Sequence, residues 1–408
     1  MFFQRLASGG IPRGVAQSGP AILSYGFRPF FLAGGIWAVV AMVVWVAALA
    51  GGLAIGGKIG AANWHAHEMV FGYTGAVLAG FMLTAIPNWT GRLPVSGRPL
   101  LVLVLIWLAG RLVFLFPDVF GLGVALTVEG IFLPALGLIA LREIVAGRNW
   151  KNLKILVGIF VLMAANIWFH VAVGLGQSPA APLRLAIAGW TLLIMLVGGR
   201  IIPSFTRNWL ARQGAKALPA PFDRLDQFAI TGAAMALLVW TLWPTGLLTA
   251  VVCTAAAVLH GVRLARWRGY ASFSEPIVAI MHVAYLMVIA GLALIAAAAL
   301  EWLAEASALH VLLIGAIGGM TLAVMTRAAL GHTGRPIRAS GPTQIAYLSL
   351  FAAALARPLA DFLPQHYIMI LSASGLLWIL AFSAFLWTYA PILLAPRLAR
   401  AGATGPKN

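Results

Sequence analysis

The chain has few charged residues and almost no cysteine. Only 9% of its 408 residues are Asp, Glu, Lys or Arg, whereas a soluble domain carries roughly 25%. Hydrophobic residues make up 62%, so the composition excludes a soluble globular protein and indicates a polytopic membrane protein. The single cysteine, Cys253, excludes an internal disulfide and a cysteine-based metal cluster. No nucleotide-binding motif is found, which argues against an ATP-driven pump.

Long apolar runs recur along the whole chain. In lipid the backbone can be satisfied only in helices or closed barrels, and these runs are too long for barrel strands of roughly 9–11 alternating residues. At roughly 20 residues per crossing, the pattern predicts an all-α protein with twelve transmembrane helices. The predicted spans are 29–50, 64–87, 99–117, 119–141, 153–175, 182–205, 226–243, 246–266, 276–299, 304–327, 343–363 and 367–393.

Lysine and arginine concentrate in every second loop. The alternate loops hold little beyond Lys58 and Arg184, so the positive-inside rule predicts that both termini are cytoplasmic. The net charge of +17 follows from this topology, and we expect no nucleic-acid partner. The polar, Gly/Pro-rich start predicts no cleavable signal peptide. The predicted layout is a cytoplasmic segment 1–28, one transmembrane domain 29–395 and a cytoplasmic tail 396–408.

Two distant segments resemble each other. Residues 67–92 read HEMVFGYTGAVLAGFMLTAIPNWTGR, and residues 310–335 read HVLLIGAIGGMTLAVMTRAALGHTGR. Each begins with a histidine, has glycines five and eight residues later and ends on Thr-Gly-Arg. A weaker third copy, PSFTRNW, occurs at 203–209. Because spans 2, 6 and 10 are four apart, we predict three four-helix units, although glycine-rich spans also resemble one another by composition alone.

The eight histidines are the main candidates for cofactor binding. An ionisable residue inside a membrane span is costly and therefore indicates function. The predicted orientation places five of them toward the outer side and three toward the inner side. The outer ones are His65, His67, His170, His310 and His366, and the inner ones are His260, His282 and His332.

The aligned His67 and His310 begin spans 2 and 10 on the outer side. Two histidines at matching depth could hold one haem, because bis-histidine ligation needs one imidazole on each face of the macrocycle. The alternative is that His67 and Glu68 only cap the start of span 2, where the helix dipole favours an acidic residue. His65 lies about 200° from His67 around a helix, so these two histidines could serve two different cofactors.

Two further histidine pairs are candidate metal sites. His65 and His170 could complete a second outer site, and a hydrogen-bonded core histidine is the alternative for His170. His282 and His332 could form an inner site for a metal or for proton transfer. Imidazole nitrogens suit copper, iron and zinc.

One arginine lies in the outer half of span 11. This residue, Arg357, is followed in the adjoining outer loop by His366. Haem carries two propionates, which arginine binds well where water is partly excluded. A snorkelling arginine that reaches for the interface is the alternative.

Five motifs together resemble one known family. They are FRPFF (27–31), WHAHEMVFGY (64–73), GFMLTAIPNWTGR (80–92), GGRIIPSFTRN (198–208) and VMTRAALGHTGRP (324–336). These stretches resemble the NnrS family of haem- and copper-containing bacterial membrane proteins, and the resemblance covers nearly the whole chain. It implies twelve spans, a b-type haem, copper and a link to nitric oxide and nitrosative stress.

A more distant likeness concerns the architecture of the haem-copper oxidase catalytic subunit. That subunit also has twelve spans in three pseudo-symmetric units, and histidines on its second and tenth spans hold a haem near the outer face. His67 and His310 fall on those spans here. Spans 6 and 7 of this chain have no histidine, so the usual binuclear centre is absent or rebuilt from residues such as His65 and His170.

The leading functional prediction is an inner-membrane haem b protein, with copper, that binds or turns over nitric oxide or a derived species. Nitric oxide binds haem iron directly when an axial position is open. Its partners would be the lipid bilayer, the small molecule and a quinol or other electron donor. A transporter for copper or a small solute and a non-catalytic haem assembly or sensing factor are the alternatives.

Overall fold

A computed structural model describes residues 19–398, and this part of the chain is all-helical. Twelve of its helices are long and apolar enough to cross a membrane, as predicted. They are α1 (Phe27–Gly51), α2 (Ala61–Thr90), α3 (Arg98–Leu115), α4 (Leu122–Ala146), α5 (Trp150–Gly174), α6 (Ala180–Arg212), α7 (Arg224–Leu242), α8 (Leu247–Ala265), α9 (Pro276–Ala299), α10 (Glu305–His332), α11 (Gly341–Phe362) and α12 (Pro364–Leu394). Residues 1–18 and 399–408 lie outside the described part, and the cytoplasmic location of the termini stays a prediction.

The helix ends carry the sequence signals that usually start and stop helices. Asp223 accepts hydrogen bonds from backbone amides in the first turn of α7 and forms a capping box with Asp226. Ser340 caps α11 in a similar way. Helix α2 ends at Gly91, which adopts a left-handed φ of 70° and donates its amide to the Pro87 carbonyl. These local signals satisfy backbone groups that would otherwise be unpaired at the membrane edges.

Helices α2, α6 and α10 form the centre of the protein and contact one another. In their most apolar stretches 89%, 67% and 78% of the residues are buried, against at most 61% in any other described span. Each described helix packs against its neighbour in the chain, and α12 closes the ring against α1. The three central helices are the three that carry the repeated motifs, which supports the interpretation as three four-helix units.

Each central helix also contains a π-helical segment. These segments are Glu68–Tyr73 in α2, Ile194–Gly198 in α6 and Val311–Gly318 in α10. A π turn rotates the residues that follow it relative to those before it, and such segments occur frequently at functional sites. In α2 and α10 the π segment begins directly after the aligned histidine, so both histidines lie where the helix geometry changes.

Candidate metal centre

Six polar side chains form one buried cluster on the side of the protein where α2 begins. We name it the His67 cluster. Its members are His67 and Glu68 from α2, Arg111 from α3, Glu129 from α4, and Asn166 and His170 from α5. All six are at most 8% exposed. Buried ionisable groups at this density within apolar helices indicate a functional site.

Three potential metal ligands converge in this cluster. The His170 Nε2 lies 2.5 Å and the His67 Nε2 3.3 Å from one carboxylate oxygen of Glu129. All three donor atoms lie within 4.8 Å of one another. Asn166 donates to the same Glu129 oxygen at 3.0 Å and faces His67 Nε2 with its amide oxygen at 3.0 Å. Two imidazoles and a carboxylate are a donor set that copper, iron and zinc all accept.

Both ring nitrogens of His67 face oxygen acceptors. The Nδ1 atom lies 3.1 Å from Glu68 Oε1, while Nε2 faces Asn166 Oδ1 and Glu129 Oε2. A neutral imidazole has one donor and one acceptor nitrogen, so it cannot satisfy both sides. A second ring proton or a cation bound at Nε2 would satisfy the oxygens that face this ring.

The charges of the cluster also indicate that a positive charge is missing. Arg111 binds both oxygens of Glu68, at 2.7 and 2.6 Å, and one oxygen of Glu129 at 2.5 Å. One guanidinium therefore compensates two carboxylates, and one negative charge remains. An unbalanced charge in a buried, low-dielectric position is costly. A bound metal ion or an imidazolium would supply the missing positive charge.

Glycines make room for this cluster. A Cβ atom on Gly72 would lie 2.2 Å from the Arg111 guanidinium and 2.8 Å from a Glu68 carboxylate oxygen. A Cβ atom on Gly130 would contact the His170 ring at 3.5 Å. Gly72 is the first glycine of the repeated motif. Its place in the sequence therefore has a direct physical reason, which is the close approach of α3 through its arginine.

A second group lies between α2, α10 and α11, and we name it the His65 pocket. It consists of His65, His310 and Arg357, whose side chains lie near enough for their charges to act on one another. The His65 ring stacks on Trp45 at 4.4 Å between centroids, and its Nδ1 atom is buried without a hydrogen-bond partner. The His310 Nδ1 donates to the Ala306 carbonyl at 2.6 Å, which orients the ring and leaves Nε2 free.

Arg357 in the His65 pocket is buried, at 5% exposure. It donates to the Ser307 hydroxyl at 3.3 Å and lies 5.8 Å from the Tyr367 ring centroid. Within residues 19–398 no carboxylate forms an ion pair with it at 4.0 Å or less. A buried guanidinium without an acidic partner is suited to an anionic group such as a haem propionate.

The structure places the outer histidines in two groups. His67 is enclosed by the His67 cluster, and His310 lies near enough to His65 for their charges to act on each other, so ligation of one haem by His67 and His310 stays a prediction. The predicted second outer site paired His65 with His170, but His170 lies beside His67, with 5.3 Å between the ring centroids. The two α2 histidines do point into different sites, as the helix geometry predicted.

The remaining predicted ligands lie apart from both sites. His282 contacts the Thr206 hydroxyl at 2.8 Å, and His332 stacks on Tyr25 at 5.8 Å between ring centroids. No contact among the described side chains joins these two histidines into an inner site. His366 is exposed in the short turn that begins α12. Their roles as ligands stay predictions.

Glu129 was not among the residues predicted from the sequence, although it is central to the cluster. It is an acidic residue inside the predicted span 119–141. The cost of an intramembrane carboxylate is a signal that could have identified it. Arg111 and Glu68 carry the same signal in spans 3 and 2.

The fold and the cluster define a multi-pass helical membrane protein with a buried His/Glu/His group that could hold a metal ion. Residues 21–397 match a protein-family model described as NnrS protein. The chain therefore belongs to the NnrS family, which confirms the resemblance seen in the motifs and fits a membrane protein linked to nitric oxide. No curated protein matches this chain.

Proposed function

We propose that this protein is a copper- and haem-containing protein of the bacterial inner membrane that binds or turns over nitric oxide or a derived species. The observation that carries the proposal is the convergence of His67, Glu129 and His170 on one buried point, where a single guanidinium faces two carboxyl groups. Membership in the NnrS family supports the link to nitric oxide. An open-shell metal is the chemical group that such a molecule binds directly.

The residues of the two sites fit two different cofactors. A copper ion would be held by His67, Glu129 and His170, with Glu68 orienting the His67 ring through Nδ1. Copper there would supply a centre that binds a small ligand and exchanges one electron. Arg111 would hold both carboxyl groups in place, and the surrounding apolar helices would exclude water.

A haem b would use the His65 pocket. His310 would hold the haem through its Nε2 atom, and His65, whose buried Nδ1 atom has no hydrogen-bond partner, would be a second candidate ligand. Arg357 would bind a propionate, since no acidic residue in the described chain occupies its guanidinium. Haem iron would supply nitric oxide binding or electron transfer there.

The location of the copper ligands separates this protein from a conventional haem-copper reductase. Helices α6 and α7 carry no histidine, whereas the His67 cluster is built from α2, α3, α4 and α5. The proposed copper centre therefore belongs mainly to the first four-helix unit. This arrangement supports a chemistry that differs from the oxidase reaction, with a quinol or other donor needed only if turnover is reductive.

Metal and haem analysis of the purified full-length protein tests the assignment. We expect Glu129→Gln to lower copper content strongly while haem content stays at the wild-type level, because only the copper site loses a ligand. We expect His310→Ala to have the opposite effect. Glu143→Gln is a matched control, since Glu143 is a second buried glutamate of α4 that pairs with Arg92 and Arg142 away from the histidines. Equal cofactor content in all variants would refute the proposal.

Optical spectra with and without nitric oxide then separate the candidate functions. A reduced b-type band that nitric oxide changes would support chemistry at the haem. An unchanged band would indicate an electron-transfer haem, with ligand binding at the His67 cluster instead. A protein that contains neither haem nor copper after cofactor-sufficient expression would favour the transporter alternative.

A further inference from the structure

A cavity of about 500 Å³ opens between the three central helices, at the ends opposite to the His67 cluster. Its walls come from the C-terminal halves of α2, α6 and α10, with contributions from α1, α5 and α9. This volume is within the range of small-molecule binding sites. The cavity is separate from the His67 cluster and from the His65 pocket, so neither proposed cofactor accounts for it.

The charged groups that line this cavity are all basic. Lys154 from α5, Arg200 from α6 and Arg327 from α10 face it, and no aspartate or glutamate belongs to its lining. In the described chain none of the three forms an ion pair at 4.0 Å or less. Glu275 and Arg212 also influence Arg327 from a greater distance, with opposite signs. A concave wall with this excess of positive charge attracts anions.

Arg327 is held in a position from which it can bind a ligand. Its guanidinium carbon lies 3.7 Å from the Phe205 ring centroid, in a stacked cation–π contact. Stacking uses the face of the guanidinium and leaves the N–H groups at its edge free to donate. This geometry is suited to a carboxylate or phosphate that lies in the plane of the guanidinium.

Apart from Thr84, Asn88 and His332, the remaining wall is mostly apolar, and it continues deeper into the protein. A smaller cavity of about 70 Å³ shares Phe81, Val197 and Val324 with the first one. It extends between the central helices as far as Trp190 and Thr321. The combined space therefore has a basic mouth and an apolar interior. Its apolar walls favour an acyl chain or a similar apolar group.

We propose that this cavity binds an amphipathic anion, with an acyl chain between the central helices and a carboxylate or phosphate head at Arg327, Arg200 and Lys154. A free fatty acid and an anionic membrane lipid share this chemistry. The bilayer supplies the lipid directly, and a free acid reaches the same mouth from the membrane interface. The proposal does not depend on the copper or haem assignments.

Photolabelling of the full-length protein in uncharged detergent tests this proposal. The probe is a diazirine-bearing palmitate, and labelled residues are mapped by mass spectrometry. We expect saturable labelling of α6 and α10 within the cavity. Oleate should compete at least about tenfold better than oleyl alcohol, because only the acid forms charge-assisted hydrogen bonds. Competition by oleate alone would identify a free acid, and competition by phosphatidylglycerol would identify a lipid.

Four variants locate the interaction. Arg327→Gln should weaken probe binding by about tenfold, whereas Arg212→Gln, a change to a nearby arginine outside the lining, should not. If Arg327→Gln does not fold, Lys154→Gln at an exposed position and Val324→Phe inside the apolar part test the head and the chain separately. The proposal fails if labelling does not saturate, if oleyl alcohol competes as well as oleate, or if inorganic phosphate is the only competitor.

Discussion

Replacement of Gly72 by alanine tests whether the ion pairs of the His67 cluster stabilise the protein. The added Cβ would lie 2.2 Å from Arg111 Nη1, so the guanidinium must move away from Glu68, which it now binds through both carboxylate oxygens. Gly75, one turn further along α2, is a matched control. A Cβ there would meet only the Phe132 ring at 3.5 Å, an ordinary van der Waals contact.

The magnitude follows from the difference between the two variants. Each glycine-to-alanine change gains up to about 1 kcal/mol of helix propensity, and this gain cancels in the comparison. What remains is the weakening of the contact between Arg111 and Glu68. We count the loss of one of its two charge-assisted hydrogen bonds, about 1.5–3 kcal/mol, because a flexible guanidinium that moves can keep the other. We therefore expect Gly72→Ala to be less stable than Gly75→Ala by that amount.

Reversible unfolding in mixed micelles with increasing SDS measures this difference. Copper content of the same preparations provides a second readout, which reports on the proposed copper centre. Displacement of Arg111 also disturbs Glu129, which Arg111 binds at 2.5 Å. Gly72→Ala should lose copper and Gly75→Ala should retain it. Equal stability and equal copper content in the two variants would show that the cluster does not depend on the observed ion pairs.

Two further predictions concern the α7–α8 region. Asp226→Asn removes the counter-charge of the buried Arg263, which lies 2.7 Å from the Asp226 carboxylate. This change should destabilise the protein by about 3–5 kcal/mol in the same unfolding assay. Asp118→Asn, at an exposed position, should have almost no effect on stability. A hydrogen bond from Arg266 lowers the pKa of Asp223 to about 2 from its usual value of 3.8. Because the folded-state pKa is lowered, this pair stabilises the protein above pH 3.8, and the contribution is lost as the pH falls toward 2. Asp223→Asn should therefore reduce stability at neutral pH but not at pH 2, and an equal deficit at both would contradict the ion-pair explanation.

Most of the fold could be predicted from the sequence. All twelve predicted spans correspond to described helices, because apolar length is a local property that each segment expresses independently. The main differences lie at the ends. Helix α6 was predicted to end at residue 205 but continues to Arg212, since a helix can extend beyond the apolar layer with arginines facing its polar boundary.

The candidate site was only partly predictable. The histidines were identified because each is costly in an apolar helix, but the partners of His67 and His310 were assigned from their equivalent places in a repeat. Helices that are related by a rotation have different neighbouring helices. Equivalent residues on two such helices therefore face different partners rather than each other. His67 accordingly faces α4 and α5, and His310 interacts with Arg357 on α11.

The sequence by itself determined the class of protein, the number of helices, the repeated segments of α2, α6 and α10, and the family resemblance. These follow from composition, apolar length and motifs, which need no knowledge of contacts. Only the tertiary structure decided that Glu129, Arg111 and His170 meet beside His67, because these residues lie on four helices whose rotations are set by packing. A one-residue difference turns a side chain by about 100°, so the set of residues in the candidate metal site depends on the packed arrangement.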